Sequence, residues 1–273
     1  MPYQISELES IARQIRIRLI EMSHNSRAAH LGSALSCVDI LVALYWSKLN
    51  FDPKKPDAQD RDRFILSKGH AASALYATLA FKKIIPMDLL KTYCQKGSAL
   101  EEHPGTGNLP GVEAATGSLG HGFPMGLGMA LACKIQKLSY TVYTLLSDGE
   151  CNEGSVWEGA MFAPAKELNR VCAFVDFNKW QATGRSCDIM SLQPLSAKWR
   201  AFGWETHEVD GHNMKQLVDT LAFIPENPSR PTVIIAHTVK GKGVSFMEDD
   251  NNWHYRIPNK EEVIMARKEL VGG

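Results

Sequence analysis

An α/β fold, a parallel sheet flanked by helices, is predicted by strands that alternate with helices along one chain. Two observations carry the expectation. Short runs rich in β-branched and aromatic residues recur at 64–66, 140–146, 171–175, 203–209 and 232–236, as strands do. Between them lie stretches long enough for the crossovers that parallel neighbours require. No internal repeat or low-complexity linker interrupts the 273 residues, so 1–273 are expected to form one domain.

The first helix is expected to open on a capping box, Ser6-x-x-Glu9, in which each side chain satisfies the other's free backbone N–H. Leu8, Ile11, Ile15, Leu19 and Met22 then recur at three- and four-residue steps and mark one buried face. A second helix, 36–49, is apolar on most sides and should be deeply buried. Prolines and charges make 52–57 a loop. The strand at 64–66 runs into Ser67-Lys68-Gly69-His70 and an alanine-rich helix. A long glycine- and proline-rich stretch, 97–128, turns helical near its end; such loops in compact domains are usually functional or disordered. After the strand at 140–146 come a glycine-bounded helix, 155–168, and the remaining strands.

Composition narrows the function. Thirty basic side chains balance thirty acidic ones, so no global charge argues for nucleic acid or an anionic membrane as partner. No apolar run reaches the ~20 residues that span a bilayer. Met1-Pro2-Tyr3-Gln4 leads straight into a helix without the apolar core of a secretory signal. Six cysteines are scattered with no Cys-x-x-Cys pair, which suits a reduced cytoplasmic setting better than disulfides or zinc.

The chemistry concentrates between Ser147 and Gly184. Asp148-Gly149 follows one strand, and Asp176-Phe177-Asn178-Lys179 follows the next. Both lie at the carboxyl edge of the expected sheet, where open α/β folds bind ligands. Magnesium takes octahedral oxygen ligands, commonly one or two carboxylates plus phosphates. Asp148 and Asn178 can supply two oxygens, and a backbone carbonyl just past Asn178 a third. Each motif alone is mostly a turn, since Asp, Asn and Gly favour tight reversals. Gly120-x-Gly122-x-x-x-Gly126 lacks a preceding strand and has the wrong spacing for a dinucleotide loop.

Taken together, Ser147-Asp148-Gly149-Glu150-Cys151-Asn152-Glu153-Gly154 and Asp176-Phe177-Asn178-Lys179 resemble the thiamine diphosphate motif of transketolases. The blocks from Arg61 to Ala71 and from Thr116 to Gly122 resemble two further signatures of that family. The similarity runs in order from about Ala28 to His254. It implies the diphosphate-side fold for thiamine diphosphate and Mg2+, with Asp148, Asn178 and the main-chain oxygen of Trp180 as metal ligands. It further implies cofactor contacts from His70, Gly117, Leu119, Gly149 and Glu153, the last near the pyrimidine ring. His30, His103 and His254 would line the substrate channel and move protons, work that suits a side chain titrating near neutrality.

His24, His207, His212 and His237 match no motif and read as surface or satisfied core residues. Lys240-Gly241-Lys242-Gly243 reads as a solvated basic loop, with a phosphate contact as the sharper alternative. Ser147, Trp180 and Leu31 depart from the commonest family residues, a glycine, a smaller aliphatic and a proline.

Nothing resembling the pyrimidine-side domain is present. The resemblance therefore implies a separate C-terminal subunit, two copies of each chain in the complex, and transfer of a two-carbon ketol unit between sugar phosphates. The alternatives are another thiamine diphosphate enzyme subunit, related to deoxyxylulose-phosphate synthase or to the α chain of a 2-oxoacid dehydrogenase, and a non-catalytic binding subunit.

Overall fold

A computed structural model describes residues 3–105 and 109–272. Met1, Pro2, Gly273 and Thr106-Gly107-Asn108, the last within the glycine-rich stretch, lie outside the described residues. The predicted strands are present as β1 (Arg63–Leu66), β2 (Val142–Ser147), β3 (Val171–Phe177), β4 (Glu205–Asp210) and β5 (Thr232–His237). They pair in parallel in the order β1-β2-β3-β5-β4.

Successive side chains of a strand point to opposite faces, and a parallel sheet buries both. Tyr143, Leu145, Cys172, Phe174, Ile234 and Ala236 meet one helical layer, made by α1 (Ile5–Ser26), α2 (Leu31–Ser36), α3 (Val38–Ser47), α4 (Ala72–Phe81), α9 (Met214–Phe223) and α10 (Lys260–Gly272). Val142, Leu146, Val171, Ala173, Val175, Val233 and Ile235 meet the other, built from α5 (Gly122–Ile135), α6 (Gly154–Ala165) and α8 (Leu195–Ala201). A single turn, α7 (Ser186–Ile189), follows β3. Fully buried side chains such as Ile40, Leu41 and Phe174 contribute about 1.5–3 kcal/mol each.

Three local expectations are corrected. The first helix begins at Ile5, and the N–H of Gln4 is taken by Glu7 Oε2 at 2.8 Å. Gln4 and Glu7 have the required spacing two residues earlier, so the helix gains a further half-turn. The predicted helix 36–49 is α3, Val38–Ser47, and Ser36 instead ends a separate short helix, α2, with Cys37 between the two. At this junction the Ser36 hydroxyl bonds Asp176 Oδ2 at 2.6 Å and the Ser33 carbonyl at 3.0 Å. The helix at the end of the glycine-rich stretch starts at Gly122, because Pro124 sits in its first turn, where a missing N–H is harmless.

No helix among the described residues is long and apolar enough to cross a membrane. What the fold does for function is to bring the carboxyl ends of four adjacent strands, β1, β2, β3 and β5, to one edge.

Candidate active site

Asp148 follows β2 directly and has no exposed surface. Its Oδ1 accepts the N–H of Gly149 at 3.0 Å and its Oδ2 the Ser186 hydroxyl at 2.8 Å. Asn178 follows β3, is also buried, and accepts the Trp180 N–H on Oδ1 at 3.0 Å. Its amide nitrogen faces Asp176 Oδ2 at 3.4 Å. That contact fixes the amide with its oxygen toward the loop after β3.

Below this pair lies an ion pair that local sequence reading missed. Lys68, from the turn after β1, bonds the carboxylate of Asp176 in β3, and both side chains are wholly buried. The Ser36 and Thr238 hydroxyls donate to the same carboxylate. Burial opposes both charges, yet each holds the other: Lys68 is raised above the usual lysine range and Asp176 lowered below the usual carboxylate range.

Asp148 differs. Burial, reinforced by the Asp176 charge and only partly offset by Ser186, pushes it up to about 6. A buried carboxylate with hydrogen bonds but no paired cation is one that a divalent ion would stabilise in its charged form. Two orphaned buried polar atoms lie on the segments beside it, Asn152 Oδ1 and Gln181 Nε2. Gln181 also packs over Gly149, where a Cβ would come within 3.1 Å of its Cγ. This donor set, a carboxylate, an amide oxygen and a loop carbonyl, fits a hard oxygen-seeking cation. Among the described residues no group of three or more His, Cys, Asp or Glu side chains is arranged for a metal, so any such ion relies on amide and carbonyl oxygens too.

Glu150 is a second residue missed from sequence. Wholly buried, it accepts the Ser67 hydroxyl and the N–H groups of Gly120 and Ser147. Burial pushes it up to about 6. It ties the turn after β1 and the loop before α5 to the end of β2. The same two segments touch backbone to backbone: a Cβ on Gly69 would stand 2.5 Å from the Gly117 nitrogen. Gly117, at φ 150, is pressed against His103. Leu119 is half-buried and joins neither hydrophobic core. Glu153 stands at the N-cap position of α6 without a side-chain cap hydrogen bond, exposed beside Gly120.

Four histidines from four segments converge. The His30 ring lies 5.7 Å from His70, 5.5 Å from His103 and 5.0 Å from His254. His30 adopts φ 67, and its N–H donates to the carbonyl of His254 at 2.7 Å. Glu102 approaches its Nδ1 to 3.3 Å without the alignment of a hydrogen bond. Burial is the main cause that lowers His30, holds His70 well below the ordinary value and takes His254 down to about 3. Nearby positive charge, chiefly Lys240 for His254 and Lys68 for His70, adds to it.

Lys240 corrects the reading of its loop as solvated. The side chain is 1% exposed and donates to Asn251 Oδ1 at 2.6 Å, with His254 Nδ1 at 3.0 Å. Gly241, at φ 80, turns the chain so that its N–H bonds Gly32 and Lys240 is carried inward. Burial lowers Lys240 to about 8. Lys242 behaves as expected of a surface residue and pairs with Glu248 at 3.2 Å. His24, His212 and His237 lie outside the cluster with partners of their own, Pro258, Asp39 and Glu208.

Residues 8–272 match the family model described as transketolase, thiamine diphosphate binding domain. The chain belongs to the transketolase family. A protein of Actinobacillus succinogenes named as one of the subunits of apulose-4-phosphate transketolase is 43% identical over 98% of each chain. Its namesake from Phocaeicola vulgatus is 40% identical over 98% of this chain and 95% of that one. Transketolase from Campylobacter jejuni superposes with a TM-score of 0.91 at 27% identity, covering 99% of this chain and 43% of that one. This transketolase chain thus spans nearly the full length of the two apulose-4-phosphate transketolase subunits and under half of the solved enzyme.

Proposed function

We propose that this chain is the diphosphate-side subunit of a two-chain transketolase that moves a two-carbon ketol unit from a ketose phosphate to an aldose phosphate. One observation carries the reading: Asp148 and Asn178, at adjacent strand ends, share an edge with the four-histidine cluster. Asp148, Asn178 and the Trp180 carbonyl would hold Mg2+. His70, Gly117, Leu119, Gly149 and Glu153 would contact thiamine diphosphate. When bound, that cofactor supplies the carbon nucleophile and electron sink for breaking and remaking the bond between C2 and C3 of the sugar.

The chain's own residues then position and move protons. His30, His103 and His254 face the same space and would bind ketose hydroxyls. Burial keeps His30 and His254 neutral at physiological pH, so that His30 can accept a proton from a hydroxyl and return it. Lys240 donates to His254 Nδ1, which leaves Nε2 of that ring as the protonated nitrogen, so His254 would donate a hydrogen bond to a sugar oxygen. The same ammonium adds positive charge where an anionic group would sit.

A separate pyrimidine-side chain is proposed because the two relatives named as subunits are themselves covered to 95% and 98% of their own length. Two copies of each chain would make the complex, and a cytoplasmic setting accords with cysteines that are all free. Co-purification with the native partner, followed by measurement of bound thiamine diphosphate with and without magnesium, tests the reading. Magnesium-dependent uptake and turnover of a ketose phosphate with ribose 5-phosphate are expected. Uptake indifferent to magnesium, or turnover of pyruvate instead, would overturn it; full turnover by this chain alone would overturn the two-chain arrangement.

A further inference from the structure

Two loops close on each other at the edge of the site, 178–186 after β3 and 238–254 after β5, and one carboxylate joins them. Asp249 accepts two hydrogen bonds from Arg185, both 2.6 Å, and a third from Trp180 Nε1 at 2.8 Å. The Arg185 guanidinium also lies 3.8 Å from the centre of the Trp180 ring. Asp249 adopts φ 58, a left-handed conformation that Asp and Asn tolerate better than most residues. Its own N–H donates to the Lys240 carbonyl at 2.8 Å. Beside it, Asn251 Nδ2 bonds the Ala182 carbonyl at 3.0 Å.

Both ends of this clasp reach the candidate site. Ser186, next to Arg185, donates to Asp148. Trp180 donates its N–H to Asn178 and carries the carbonyl assigned to the metal. On the other side, Lys240 reaches His254.

We propose that Trp180, Arg185 and Asp249 form a positioning clasp that holds the metal half of the site against the histidine half. The proposal rests on reading Asp148 and Asn178 as magnesium ligands. Exposed ion pairs are individually weak, but this one is bidentate, stacked on a ring and shared with a second donor. Magnesium tolerates little departure from octahedral geometry, so a loop that carries one ligand oxygen gains from being pinned. Trp180 supplies both an N–H donor for Asp249 and a ring face for Arg185.

The test compares the wild-type full chain, together with its partner, against Asp249→Asn and Trp180→Phe. Asp249→Asn keeps the shape and the left-handed backbone but removes the charge; Trp180→Phe keeps the ring and removes the donor. Calorimetry reads the magnesium concentration that half-saturates thiamine diphosphate uptake. Asp249→Asn is expected to raise it about tenfold, the low end for outer partners of a metal ligand, and Trp180→Phe to raise it less. The melting temperature without ligands should move little. An unchanged magnesium requirement overturns the proposal, as does an equal loss of stability with and without ligands, which marks a merely structural contact. If the wild type itself takes up no cofactor in magnesium, the fault lies in the site reading, and the clasp's role falls with it.

Discussion

Lys68, after β1, and Asp176, in β3, pair across the end of the intervening strand β2 with neither side chain exposed to solvent, and Asp176 stands two residues before Asn178. The pair supports the candidate metal site from below. Lys68→Met would leave a buried carboxylate with two hydroxyl partners, the Asn178 amide at 3.4 Å and no cation. Loss of one partner of a buried pair costs about 3–5 kcal/mol, which urea denaturation of the full chain would read. Replacing both residues with apolar ones of similar volume should recover much of that loss. A Lys68→Met chain as stable as wild type would count against a charged pair.

Asp148 and Asn178 are predicted to act together. Asp148→Ala should weaken magnesium-dependent thiamine diphosphate uptake by more than about tenfold, measured by calorimetry. Its stability without ligands should change less, because burial already disfavours that charge. Removal of magnesium from wild type with a chelator should have a similar effect. An Asp148→Ala chain with wild-type uptake would remove this residue from the metal set.

The histidine cluster predicts a pH response with a definite sign. His254, His30 and His70 are all held below the ordinary histidine value. As pH falls below about 6.5, the unfolded chain takes up protons that the fold excludes, so these groups cost stability on the acid side. Thermal unfolding across pH 5–7.5 should show His254→Asn losing less stability than wild type as pH drops. Parallel curves for the two would show that His254 is not buried in neutral form.

Glu150→Gln would keep the shape of the side chain but set an amide N–H₂ against an N–H, either that of Ser147 or that of Gly120. Leaving such buried donors unsatisfied costs about 1–3 kcal/mol, seen as a lower denaturation midpoint. Glu150→Asp, which cannot span the same distance, should be no better. Stability unchanged in Glu150→Gln would mean that a protonated carboxyl already fills this place.

The sheet was legible in the sequence because strand periodicity and strand length are local properties. Asp148, Asn178, His30, His70 and His103 could be singled out as candidates because they stand in compact motifs, and the fold brings these histidines together with His254. What could not be read was pairing at a distance. Lys68 and Asp176 are 108 residues apart in the chain, and no pattern around either names the other. Lys240 looks like a solvated lysine until Gly241 turns it toward His254. The short helix before Cys37 was not read either, and its last residue, Ser36, bonds Asp176, 140 residues away.

His30 imposes a condition on how this site should be probed. Its backbone is left-handed, and its N–H is committed to the carbonyl of His254. An alanine at 30 would delete the imidazole and also place an ordinary Cβ residue where only glycine, asparagine and a few others sit without strain. Lost turnover in that variant would mix missing chemistry with a displaced loop. Asparagine removes the ring while accepting the twist, so His30→Asn is the substitution whose kinetics can be attributed to the proton carrier itself.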